Sequence, residues 1–238
     1  MAEGQQSFWF LENIDLTNVF CPKKMGNTVK NLEHKTFERH SYIYLPEADA
    51  NKVYFILEGR VKIGTYTLTD PPQEVTKSII GPGEVFGELA VAGHPKQRDF
   101  AYAMEKTTVC LMDASDMKSL VKDHMPINLF MMKLFAKRSL ELEKRLESLM
   151  FKDSRTRILE FLSDLADTKG ERVGYEWVVR KFYTHQDIAN LTATSRQTVT
   201  TILNELKAQN IITYDRRRLL IRDLDKLKAC ACETTSGQ

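Results

Sequence analysis

Between residues 36 and 113 the apolar positions fall in short runs broken by turn residues. Val53-Tyr54-Phe55-Ile56-Leu57 is an unbroken apolar run, Glu58-Gly59 is a turn pair, and Arg60-Val61-Lys62-Ile63-Gly64-Thr65-Tyr66 alternates in character. This predicts two strands joined at a tight turn. Residues 74–80, 100–104 and 107–111 predict further short strands, and Gly81-Pro82-Gly83-Glu84 is a turn cluster. The pattern is that of a β-roll or barrel with flanking helices.

Beyond it the period changes. Pro126 sits where the first turn of a helix tolerates proline, and no Gly or Pro follows until Gly170. Met132, Phe135, Ser139, Leu142, Leu146 and Leu149 recur alternately three and four residues apart, the heptad spacing of a helix seam. Glu141, Glu143, Lys144, Arg145 and Glu147 make the remaining faces polar, which favours a parallel dimer seam over a helix packed only on its own domain. Residues 154–166, with Ile158, Leu159, Phe161, Leu162 and Leu165, predict another amphipathic helix before Lys169-Gly170 breaks the pattern.

Thr184 begins a two-turn helix as its capping candidate, with Ile188 and Leu191 apolar, and Thr192-Ala193-Thr194 interrupts it. Thr194 stands three residues before Gln197, a capping-box spacing, ahead of a second helix with Val199, Ile202, Leu203 and Leu206 as its buried stripe. Two helices this short joined by so tight a break, with small Ala189 at their crossing, predict a helix-turn-helix. Its second helix exposes Arg196, Gln197, Thr200, Thr201 and Asn204, the donors and acceptors that read base edges in a major groove. A hairpin follows, Asn210 to Tyr214 and Leu219 to Ile221, whose basic tip Arg216-Arg217-Arg218 reads as a wing. From Arg172 to Arg222 nine Lys/Arg face four acids, an excess of five positive charges that locates a phosphate-facing surface. Thr184, Ser195, Arg196, Gln197, Thr200, Thr201, Arg216, Arg217 and Arg218 are therefore the candidate DNA-binding residues.

Composition narrows the alternatives. With 238 residues, 42% hydrophobic and 28% charged, the chain has room for two compact units or one large one and is neither fibrous nor disordered throughout. The longest apolar stretches, such as 53–57 and 127–135, fall well short of the roughly 20 residues that span a bilayer. The N-terminus shows no basic region leading into an apolar core, so a cytoplasmic protein is expected. Cys21, Cys110, Cys230 and Cys232 are too sparse for a disulfide scaffold and read as free thiols; the closely spaced Cys230 and Cys232 fall at what reads as a frayed terminus rather than a metal site. The histidines at 34, 40, 94, 124 and 185 are scattered, so no metal ligand set is assigned. No P-loop, GxSxG or HExxH occurs, and no catalytic residue is assigned: an enzyme is not expected.

Phe86-Gly87-Glu88-Leu89, Arg98 ten residues beyond Glu88, and the segment from Gln186-Asp187-Ile188 through Ser195-Arg196-Gln197-Thr198-Val199 to Gln209-Asn210-Ile211-Ile212 together resemble the CRP/FNR family of bacterial transcription regulators. The resemblance covers nearly the whole chain in the right order. It implies an α+β fold: an N-terminal cyclic-nucleotide-binding-type β-roll (1–125), a long dimerisation helix (126–152) and a C-terminal winged helix-turn-helix domain (153–238). It also implies a homodimer on a two-fold symmetric double-stranded DNA operator, with RNA polymerase as a partner if the protein activates. Gly83 to Asp99 would be the phosphate-binding cassette, with Gly87, Glu88, Leu89, Arg98 and Asp99 near the effector, Glu88 as ribose carboxylate and Arg98 as phosphate cation. Two positions depart from the cyclic-AMP receptors. Asp99 replaces a hydroxyl residue, where it would repel a phosphate or occupy Arg98, and Leu142 and Glu143 replace the hydroxyl pair that receives adenine, so cyclic AMP is disfavoured. The effector and any cofactor stay unassigned. His94 lies near where a haem-sensing relative carries an axial ligand, and Glu88 with Arg98 could instead be an ion pair holding an empty cassette. A nucleotide-binding regulatory subunit of another protein would share the β-roll, but would have no use for residues 184–222.

Overall fold

The structure, a computed structural model, describes residues 32–215 and 217–233; Cys21 and Arg216, both named above, lie outside them. The chain divides into two compact units, Met1–Lys137 and Arg138–Gln238.

Among the described residues of the first unit eight strands, β1 (Glu33–Phe37), β2 (Tyr42–Tyr44), β3 (Lys52–Glu58), β4 (Val61–Tyr66), β5 (Glu74–Ile80), β6 (Val85–Phe86), β7 (Phe100–Ala103) and β8 (Thr107–Asp113), form two four-stranded sheets in the orders β1-β8-β3-β6 and β2-β7-β4-β5. Tyr54, Ile56, Val109 and Leu111 of one sheet pack with Val61, Ile80 and Ala101 of the other in a shared core. The opposite face of the first sheet, Val53, Phe55, Cys110 and Met112, meets Met117 and Leu120 of helix α1 (Ala114–Asp123) and Ile127 and Met131 of helix α2 (Met125–Phe151). Alternate residues of β3 thus enter two different cores. That is why its sequence is continuously apolar, whereas a strand with one wet face alternates. Gly59, in the β3–β4 turn, has φ +92°, and a Cβ there would fall 2.7 Å from the Lys106 carbonyl oxygen, so the tight turn predicted from Glu58-Gly59 needs glycine.

Helix α2 carries two stripes. Ile127, Phe130, Met131 and Leu134, at helical spacing, pack into the first unit, while the heptad positions point elsewhere.

The second unit contains the last part of α2, α3 (Ser154–Lys169), β9 (Gly170–Val173), β10 (Glu176–Arg180), α4 (His185–Thr192), α5 (Arg196–Ala208), β11 (Ile212–Tyr214), β12 (Arg218–Ile221) and α6 (Leu224–Glu233). Ile158, Leu159 and Leu162 of α3, Ile188 and Ala189 of α4, and Val199, Leu203 and Leu206 of α5 are fully buried, as their spacing predicts. The predicted wing hairpin is present as the antiparallel pair β11–β12, and it is extended into a four-stranded sheet, β11-β12-β10-β9. Two expectations are corrected. The cap of α5 is Ser195, not Thr194: the Ser195 hydroxyl accepts the Thr198 N–H at 3.0 Å, which leaves Gln197 out of the reciprocal position of a capping box. Cys230 lies not on a frayed end but within α6, which Leu227, fully buried, and Ala231 anchor. The Lys228 ammonium also reaches Asp167 of α3 at 2.8 Å.

Candidate functional site

The DNA-reading element is built by capping and by burial of one face. Thr184 closes the N-terminus of α4: its hydroxyl accepts the Asp187 N–H at 3.1 Å and donates to the Asp187 carboxylate at 2.6 Å. Both functions of that hydroxyl are therefore spent within the helix. Ala193, φ 50°, ends α4 in the left-handed region, and three residues later α5 begins. Arg196, Gln197, Thr201 and Asn204 are exposed on one side of α5, opposite the buried stripe. Arg196 and Gln197 have no side-chain partner among the described residues, so their fork and amide are open to a ligand. Thr200 is half-buried; its hydroxyl donates to the Arg196 carbonyl at 2.9 Å, and the His185 ring Nδ1 lies 2.8 Å from it. Since that hydroxyl has one proton, His185 Nδ1 must supply the second.

At the wing, Asp215 organises the turn. Its carboxylate accepts the backbone N–H groups of Arg217 at 2.6 Å and Arg218 at 2.9 Å and pairs with the Arg218 guanidinium at 3.2 Å. The bond from the Arg217 N–H, with those from Arg218, holds the Asp215 carboxyl below its ordinary range. Arg217 stays exposed, whereas Arg218 already carries a carboxylate. Arg222 is likewise matched by Glu176 at 3.5 Å and bonds Asn210, and Arg180 is matched by Glu171 at 3.0 Å. The positive surplus counted in the sequence is thus partly neutralised, while Arg196 and Arg217 remain exposed.

Two arginines tie this element to the helices before it. Arg157 of α3 donates to the carbonyls of Lys152 at 2.8 Å, Thr192 at 2.9 Å and Ala193 at 3.1 Å, and to the Ser154 hydroxyl at 3.4 Å. Arg145, on the last turns of α2, donates to the Asn190 carbonyl at 3.2 Å, and its burial lowers the guanidinium pKa. Cations at the C-terminal carbonyls of α4 satisfy groups that the helix itself leaves unpaired and oppose its dipole.

The cassette of the first unit turns on Gly87, φ 77°, where a Cβ would fall 2.8 Å from both the Lys52 carbonyl oxygen and the Tyr54 ring. A single 3-10 turn, Glu88–Ala90, follows; Glu88 is buried and Leu89 half-buried. Residues 95–97 are stitched to the 47–50 segment by backbone bonds, Ala50 to Pro95 at 3.0 Å, Glu47 to Gln97 at 2.9 Å and Gln97 to Ala48 at 2.8 Å, which fixes where Arg98 emerges. Arg98 is exposed and has no ion-pair partner among the described residues. The alternative of a Glu88–Arg98 ion pair is therefore not what forms among the described residues, and Asp99 does not occupy Arg98. Asp99, 16% exposed, instead pairs with the Lys77 ammonium. Lys77 was not expected at this site. The β4–β5 register passes from Ile63 opposite Ser78 to Gly64 opposite Thr76, so Lys77 is the extra residue of a β-bulge, a device that re-aims a side chain and that alternation cannot announce. His94 is exposed at the far end of the 3-10 turn, its N–H bonded to the Leu89 carbonyl at 3.1 Å.

All six heptad positions are exposed within the protomer, Met132 at 63%, Leu142 at 67% and Leu146 at 58% among them, and Glu143 beside the seam is exposed too. Among the described residues no helix is long and apolar enough to cross a membrane.

Comparison with known proteins bears on both units. Residues 34–124 match the cyclic nucleotide-binding domain family and residues 156–230 the Crp-like helix-turn-helix domain family. The chain is 26% identical over 203 residues to the global nitrogen regulator of Synechocystis, covering 84% of this chain and 89% of that one. It is also 26% identical over 206 residues to the CRP-like cAMP-activated global transcriptional regulator of Mycobacterium tuberculosis, covering 87% and 91%. Among solved structures, a CooA mutant from Carboxydothermus hydrogenoformans superposes with a TM-score of 0.72 at 28% identity, covering 84% of this chain and 88% of that one. A CRP-family transcriptional regulator from Thermus thermophilus superposes with a TM-score of 0.68 at 27% identity, covering 86% and 100%. With an effector domain of the cyclic nucleotide-binding type followed by a long helix and a winged helix-turn-helix, and with relatives of this architecture along most of its length, the chain belongs to the CRP/FNR family of DNA-binding transcription regulators.

Proposed function

We propose that the protein acts as a homodimer in the cytoplasm, that its two α5 helices read the halves of a two-fold symmetric operator, and that its cassette answers to an anion other than cyclic AMP. The observation that carries the assembly is the seam. Five large apolar side chains at heptad spacing are between 40% and 67% exposed in one protomer, a continuous stripe that a second copy would cover. Each such side chain, once fully buried, contributes about 1.5–3 kcal/mol. An activating role would bring RNA polymerase as a further partner.

For the effector, the exposed Arg98 supports recognition of an anion. The Lys77–Asp99 pair changes the case against cyclic AMP: Asp99 is already neutralised, so its repulsion of a phosphate is weaker than the sequence implies. The case then rests on Leu142 and Glu143, which lack the hydroxyls that receive adenine; an unsatisfied buried polar group costs about 1–3 kcal/mol. Relatives at equal identity are named for nitrogen regulation and for activation by cAMP, so overall similarity does not choose between signals.

Analytical ultracentrifugation of Leu142→Glu tests the assembly. Two carboxylates facing across the two-fold axis should split the dimer and abolish tight operator binding, because burying unpaired charge is costly. An unchanged dimer would place the interface elsewhere.

A further inference from the structure

We propose that Tyr214, on wing strand β11 and outside the recognition helix, sets which base Asn204 reads. This rests on α5 lying in the major groove. Asn204 follows Arg196 and Thr200 at intervals of four, on the exposed side of α5. The Tyr214 hydroxyl donates to the Asn204 side-chain carbonyl oxygen at 2.9 Å. The ring that carries that hydroxyl is itself held: the His185 ring packs edge-on at 5.6 Å between centroids, Phe182 lies at 6.2 Å, and the Lys207 ammonium sits 5.6 Å from the ring centre.

The consequence is chemical. A free asparagine pairs with adenine in two ways at once, accepting from N6–H and donating to N7. With its carbonyl oxygen turned toward the phenol, Asn204 presents its NH2 group outward as a donor. Guanine offers acceptors only on its major-groove edge, N7 and O6, and matches that presentation, whereas the N6 amino group of adenine meets donor against donor. The fixed amide therefore favours guanine at the base pair facing Asn204. Tyr214 is a positioning residue: it need not touch DNA to alter what is read.

Operator selection from a randomised duplex pool, with wild type and Tyr214→Phe compared, tests this. Phenylalanine keeps the ring against Phe182 and His185 and removes only the hydroxyl. The wild type should prefer guanine at one position of each half-site, and Tyr214→Phe should shift that position toward adenine by on the order of tenfold. Asn204→Ala should erase preference there, and adding Tyr214→Phe to it should change nothing more. Identical preferences with and without the hydroxyl, or adenine already preferred by the wild type, would overturn the proposal. Arg196→Ala separates the two failures: if it relaxes specificity while Tyr214→Phe does not, only the role of Tyr214 falls, and if neither alters the selected sequence, the placement of α5 in the groove falls with it.

Discussion

At the scale of single residues, the placement of Arg196 on α5 and of Arg217 in the wing turn gives each its own prediction within one basic surface. Arg196 is exposed on the recognition helix with no partner for its guanidinium among the described residues, so Arg196→Ala should lose about 1–3 kcal/mol and relax specificity at one base pair. Arg217 is at the wing tip, and its neutralisation should weaken all sequences alike and flatten the dependence of affinity on salt; titration on selected and random duplexes over a salt series checks both. His185 makes a pH prediction. Burial, then the charge of Arg196, lowers its pKa from the ordinary 6.5. The unfolded chain therefore takes up the proton before the folded one does, and stability should fall as pH drops below about 6.5 toward the lower folded value. Thermal melts from pH 8 to 5 should show this loss, and His185→Asn should lessen it; equal slopes would assign the loss to other groups. Candidate cations were legible in the sequence, and the contacts around them were not. Arg98, Arg196 and Arg217 are nominated by the motifs they follow, but the Lys77–Asp99 pair depends on a bulge and the Tyr214–Asn204 bond crosses elements, and neither has a sequence period.

At the scale of elements, legibility followed apolar patterning. Strands β3, β5, β7 and β8 stood out as short apolar-rich runs between turn residues, helices α3 to α5 through the period of their buried faces, and α2 through a heptad whose positions are exposed in the protomer. Strands β9 and β10 did not: β9 is almost wholly exposed, and only Val179 of β10 is deeply buried, so neither needed an apolar pattern. The start of α5 was misplaced by one residue because Thr194 and Ser195 are both competent caps, and only the backbone decides between them. That decision can be tested. Ser195→Ala removes the acceptor for the Thr198 N–H and should cost about 1 kcal/mol in a denaturant titration, whereas Thr194→Ala should cost less at this helix end. Equal losses would mean that the cap is shared.

At the scale of the whole molecule, an effector in the first unit has to be felt by α5 in the second, so binding and its effect on DNA are separate measurements. Calorimetry with cyclic AMP should show no binding in the micromolar range, and operator affinity should be unchanged by it; tight binding with a tightened operator complex would mean that Leu142 and Glu143 are accommodated after all. Asp99→Ser should raise affinity for simple anions by removing the carboxylate that follows Arg98 in the chain, without conferring selectivity for adenine. How any such signal would travel is constrained by Arg157. One flat guanidinium bonds the carbonyl that ends the long helix, the hydroxyl that begins α3 and two carbonyls in the turn before α5. The joint after Lys152 is therefore not a free swivel. Torque applied to the last turn of the long helix is delivered to the reading head as the rotation of one stiff piece, and a lysine in that place, with its single point of attachment, would make a rigid elbow into a universal joint.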